Sequence, residues 1–111
     1  MKHLMNLKPN PFLMIKGGFK RVEMRLYTDK RKLINIGDDI QFTNEENGEK
    51  LLVKVVDIKT FKNFEELYKN YDKTLLGYMP NENANPSDML QYYSMQEIEQ
   101  TGVCAIEIEL I

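Results

Sequence analysis

The sequence predicts a mostly β domain with short helices, an α+β chain arranged as a small, mostly antiparallel barrel. Three observations lead there. Two segments of period-two alternation lie far apart, one beginning at Val22 and one near the C-terminal end. An Asn47-Gly48 hairpin signal separates two further strand-like runs. Strands and helices do not alternate regularly, as a doubly wound parallel sheet requires. Closing such strands into a barrel removes the unpaired edges that an open sheet exposes.

Each element has its own local reason. His3 to Leu7 reads as a first strand, broken by Pro9-Asn10-Pro11. Asn10 is placed to cap a helix whose first position is Pro11, and that helix runs through Phe12 to Lys16 before Gly17-Gly18 ends it. Val22, Met24 and Leu26 alternate with Glu23, Arg25 and Tyr27, the pattern of a strand with one face buried. Ile40 and Phe42 begin the hairpin, and Leu51 to Ile58 returns from it, apolar on both faces and therefore central. Asn63 with Glu66 forms a capping-box pattern ahead of Phe64, Leu67, Tyr68 and Tyr71 at helical spacing. Leu76 to Asn85 is turn-rich and is expected to be mobile. Asn85-Pro86 starts a short helix, Ser94 with Glu97 caps another that Gly102 terminates, and Cys104 to Leu110 is the last strand.

At 111 residues the chain has the size of one domain, here residues 1–111, with one core. The 42% hydrophobic and 29% charged content is that of a globular protein and excludes disorder. One cysteine excludes an intramolecular disulfide, no His/Cys cluster suggests a metal site, and no cofactor fingerprint is present. The apolar runs are too short to cross a bilayer, and the N-terminal residues lack a signal-peptide core, so the expected partners include no membrane and the expected location is cytoplasmic. Oligomeric state is not legible.

Charge is unevenly spread. Between Lys16 and Lys32 seven basic residues stand against two acidic ones, in a chain of net charge −2. The whole is therefore not a general nucleic-acid binder, but one positive patch suits a compact anion or a short piece of RNA. The same excess also describes an ordinary solvated segment. Within it, Lys20, Glu23 and Arg25 leave the double glycine together. If they converge on a hollow, Arg25 and Lys20 suit phosphate, and Glu23 suits a base or ribose donor. Tyr27, Tyr78, Tyr92 and Tyr93 are candidate stacking surfaces. If they splay outward, Glu23 and Arg25 are simply a surface pair worth about 0.2–1 kcal/mol. A lysine among cations also loses its proton more readily, so Lys20 with Glu23 is a candidate catalytic pair for a small hydrolase. His3 reads as a surface residue and Cys104 as a buried, inert thiol.

Asn10-Pro11-Phe12, Ile15-Lys16-Gly17-Gly18-Phe19-Lys20-Arg21-Val22-Glu23-Met24-Arg25, Ile36-Gly37-Asp38-Asp39-Ile40 and Gly102-Val103-Cys104-Ala105-Ile106-Glu107-Ile108, in that order, resemble the ASCH (activating signal cointegrator homology) domain of the PUA-like superfamily. The resemblance runs from Leu4 to Leu110 and includes Phe64-Glu65-Glu66-Leu67 and Tyr92-Tyr93-Ser94. It implies a five- or six-stranded barrel with a cleft beside the Gly-x-Lys-x-x-Glu-x-Arg segment, and binding of RNA or a nucleotide-like small molecule. One branch of the family hydrolyses acetylated cytidine nucleosides using a lysine, a threonine three residues on, and a later glutamate. Lys20 matches the lysine, Glu23 replaces the threonine, and Glu65, Glu66 and Asp72 are the candidates for the later acid.

Overall fold

The computed structural model describes residues 1–111. In chain order it runs β1 (Lys2–Leu7), α1 (Pro9–Lys16), β2 (Val22–Leu26), α2 (Asp29–Lys32), β3 (Asp39–Asn44), β4 (Lys50–Phe61), α3 (Phe64–Lys69), a 3₁₀ helix (Pro86–Gln91), α4 (Met95–Thr101) and β5 (Val103–Leu110). The strands form one sheet in the order β1-β3-β4-β5-β2, parallel only between β1 and β3. It curls into a half-barrel with short helices, the expected fold class. Closure differs from expectation. Strands β1 and β2 remain the sheet's edges, and a side chain joins them: Arg25 Nη2 donates to the Asn6 carbonyl at 2.9 Å.

Strand β5 divides the interior. Its residues Cys104, Ile106 and Ile108 enter one apolar cluster with Met5, Phe12, Phe42 and Val53, inside the curl. Val103 and Ala105, on its other face, join Val22, Met24, Leu26, Phe64, Leu67 and Ile98 in a second cluster beneath the helices. This reverses the orientation that alternation suggests for β2. Its apolar face meets the helical layer, while Glu23 and Arg25, registered opposite Ile106 and Cys104, point with them toward the barrel interior. Both faces of β2 are covered, so neither is the solvent face.

Several boundaries also move. Helix α1 begins at Pro9 with Lys8 as its uncapped N-terminal neighbour, so Asn10 is a helical residue rather than the cap. Pro9 takes the early position that Pro11 was expected to fill, for the same reason: its fixed φ suits the first turn. Helix α2 has no apolar periodicity to announce it, being Asp-Lys-Arg-Lys with no buried residue. Strand β4 is central as expected, yet Leu52 and Val56 are exposed on its outer face, and the register shifts between Val55 and Asp57. The caps largely agree with the sequence: Asn85 accepts from Ser87 N, and Ser94 and Glu97 complete a reciprocal box. At Asn63 only half of the expected box forms, Asn63 accepting from Glu66 N while the Glu66 carboxylate turns to Lys69 instead.

Candidate functional site

The double glycine sets the site. Gly17 ends α1 in the right-handed region, and Gly18 at φ +81° reverses the chain into a conformation that favours glycine. The amides of Phe19 and Lys20 both donate to Met14 O, and those of Arg21 and Val22 both donate to Leu75 O, which pins the approach to β2. Lys20 is thereby turned inward and is only 7% exposed. Its Nζ donates to Leu76 O at 3.0 Å and lies 3.5 Å from Glu23 Oε1. Glu23, 5% exposed, takes Arg25 Nε at 2.8 Å and Nη2 at 2.7 Å on Oε2, and the Met24 amide at 3.2 Å on Oε1. No buried side-chain nitrogen or oxygen is left without a partner.

Charge follows from this packing. Burial by itself would push the Glu23 carboxyl up, but Lys20 and Arg25 outweigh it and hold the group below the usual carboxylate range. Burial lowers the Lys20 ammonium despite the opposing attraction of Glu23. Two cations share one anion, so the cluster carries a net +1.

A cavity of about 830 Å³ opens over these three side chains. Its walls come from α1 and the turn after it (Leu13, Met14, Phe19), from Leu76 to Met79, and from the 3₁₀ helix and its exit (Asp88, Met89, Tyr92, Tyr93). Of the residues singled out from sequence, Lys20, Glu23, Arg25, Tyr78, Tyr92 and Tyr93 are brought together here. Tyr27 is not. It packs against the barrel cluster, with the Lys32 ammonium 5.7 Å from its ring centre, and does not line the cavity. Glu65, Glu66 and Asp72 do not line it either: Glu66 pairs with Lys69, and Asp72 accepts from Thr74.

Sequence reasoning missed Phe19, Tyr68, Glu82 and Asp88 as lining residues. Tyr68 and Tyr78 share a 2.9 Å hydrogen bond between their hydroxyls, and Tyr78 donates to Asp88 Oδ2 at 2.7 Å. Their partners lie ten residues apart in the chain, beyond any local motif. The segment expected to be mobile forms a wall, with Leu76 buried against the second cluster and Gly77 against the Lys20 stem. Cys104 is fully buried, and that burial raises its thiol to about 11. No helix is long and apolar enough to cross a membrane.

Comparisons with known proteins place this geometry. The family model described as ASCH domain matches residues 5–111. Among solved structures, the crystal structure of hypothetical protein PH0355 is 34% identical, with both chains covered completely and a TM-score of 0.87. The solution NMR structure of protein PF0455 from Pyrococcus furiosus is 30% identical over 100% of this chain and 98% of that one, with a TM-score of 0.76. A ZmASCH mutant from Zymomonas mobilis shares the fold at 15% identity, covering 97% of this chain and 67% of that one at a TM-score of 0.70. No curated protein matches. With a family match over almost its whole length and this half-barrel beneath it, the chain belongs to the ASCH domain family.

Proposed function

We propose that the cavity binds RNA or a nucleotide-like small molecule, with its anionic group at the Lys20/Glu23/Arg25 floor. The observation that carries this reading is a buried cluster of net positive charge at the base of a cavity walled by tyrosines. Glu23 occupies Nε and Nη2 of Arg25, while Nη1 has no protein acceptor and stays available to a phosphate oxygen. Lys20 adds a second positive contact, and Tyr93, stacked on Phe64 at 6.0 Å and 13°, presents a fixed ring beside it.

The test is a titration with a short single-stranded RNA and a nucleoside monophosphate across a range of salt. Arg25→Ala weakens binding and flattens its salt dependence, because one phosphate contact is lost. Arg25→Lys keeps the charge and therefore the slope, while losing affinity through its lost planar fork. Unchanged affinity in both variants refutes the reading.

A second reading rests on Lys20, whose ammonium burial lowers. In it Lys20 is the base or nucleophile, and Glu23 relays the proton in hydrolysis of acylated nucleosides of the acetylated-cytidine kind. Incubating acylated nucleosides and simple amides with wild type and Lys20→Ala separates the two. Turnover lost on substitution supports the hydrolase, and absence of turnover leaves binding alone.

A further inference from the structure

Large apolar side chains are costly to leave in water, yet four of them, Leu13, Phe19, Met79 and Tyr92, stand exposed around the mouth of this one cavity. Two are aromatic, and both are held in place. Phe19 is 66% exposed, but its amide is fixed to Met14 O and its ring lies directly over Gly17. A Cβ on Gly17 would come within 3.0 Å of Cδ2 and Cε2 of that ring, so the absence of a side chain at 17 is what seats it. Tyr92 is 51% exposed and lies 6.3 Å from Tyr93, which is itself stacked on Phe64 in the second cluster. Its hydroxyl has no protein partner, unlike those of Tyr68, Tyr71 and Tyr78. Two rings thus stand against packed neighbours and are left in water at the entrance to a charged floor.

The geometry points to Phe19 and Tyr92 as the seat for the planar base of the ligand, with Gly17 as the residue that positions Phe19. This rests on the nucleotide-binding reading and deepens it: the floor takes the anionic group, the rim takes an unpaired base, and a base held in duplex is excluded because its faces are already stacked. Such a seat has no hydrogen-bond code, so it accepts any base and favours the larger purines.

The experiment compares two probes, adenosine 5′-monophosphate and ribose 5-phosphate, which share the phosphate and differ in the base. Phe19→Ala and Tyr92→Ala each lower affinity for adenosine monophosphate by between about 5-fold and about 150-fold, the range for one stacked base, and leave ribose 5-phosphate unchanged. Tyr92→Phe keeps wild-type affinity for both. Gly17→Ala is the decisive variant: the backbone there, at φ −78°, suits alanine, so the fold persists while the Phe19 ring is displaced. It lowers affinity for adenosine monophosphate alone. Equal affinity of wild type, Phe19→Ala and Tyr92→Ala for adenosine monophosphate overturns the base seat and spares the anion floor. Equal losses for both probes also overturn it. Unaltered adenosine monophosphate affinity in Gly17→Ala overturns the positioning role. Failure of wild type to bind either probe overturns the binding function itself, and the seat with it.

Discussion

Replacing Glu23 by glutamine removes the single anion from a buried cluster of three charges and leaves its shape almost intact. Oε2 accepts two N–H groups of Arg25, at 2.8 and 2.7 Å, and Oε1 faces the Lys20 ammonium at 3.5 Å. Without the carboxylate the cluster goes from +1 to +2, with both cations still largely shielded from water. Breaking a buried ion pair from one side costs about 3–5 kcal/mol, because the remaining charge stays desolvated. For a domain of this size that corresponds to a fall in melting temperature of about 12–20 °C, at roughly 4 °C per kcal/mol. Denaturant unfolding of wild type, Glu23→Gln, Lys20→Met and the double variant measures it. The double variant returns the cluster to +1 and recovers part of the loss, giving a coupling above about 1 kcal/mol. The pH profile gives an independent readout. The Glu23 carboxyl sits below its ordinary value, so its contribution is complete above the usual carboxylate range and is lost as pH falls through the lowered folded-state value. Glu23→Gln lacks that acid limb. A loss below about 1 kcal/mol, or zero coupling with Lys20, refutes the account of the floor as a charge-coupled unit.

Two further outcomes follow from other parts of the fold. His3 Nε2 at 2.8 Å and the Asn35 amide at 3.0 Å bring the Asp38 carboxyl down from 3.8 to about 2. Stability from this clip is therefore full above pH 4 and declines toward about pH 2, and Asp38→Asn flattens that part of an acid-unfolding profile. Gly77 combines φ +106° with a Cβ position 3.2 Å from Lys20 Cδ, so Gly77→Ala costs about 1–3 kcal/mol in denaturant unfolding and also weakens phosphate binding by moving the lysine.

How far the sequence carries depends on the range of the interaction concerned. Capping at Asn63, Asn85 and Ser94 is read from residues two or three apart, and the structure repeats it. Convergence of Lys20, Glu23 and Arg25 was legible because all three leave one turn. Alternation in β2 separated its two faces correctly but did not say which one entered the barrel. Sequence patterning assumes that charge points to water, whereas here the charged face is buried beside Ile106 and Cys104 and its cations pair internally with Glu23. Asp88, Tyr68 and Phe19 were invisible for a different reason. They reach the cavity only through the packing of α3, the 3₁₀ helix and the Gly17 turn. Tyr27, by contrast, alternates with the β2 core like a rim residue, yet the chain beyond Leu26 turns it under Lys32.

Strand β5 is shared by both apolar clusters and is the sole sheet partner of β2. The register joins Val22 to Glu107, so β2 waits for about eighty residues of intervening chain before it has anything to pair with. Strands β1, β3 and β4 pair among themselves within the first 61 residues, but β2 and the cluster beneath the helices have no sheet to join until β5 exists. The floor residues Glu23 and Arg25 lie on β2, so completion of the pocket waits on Val103 to Leu110, the last strand of the chain.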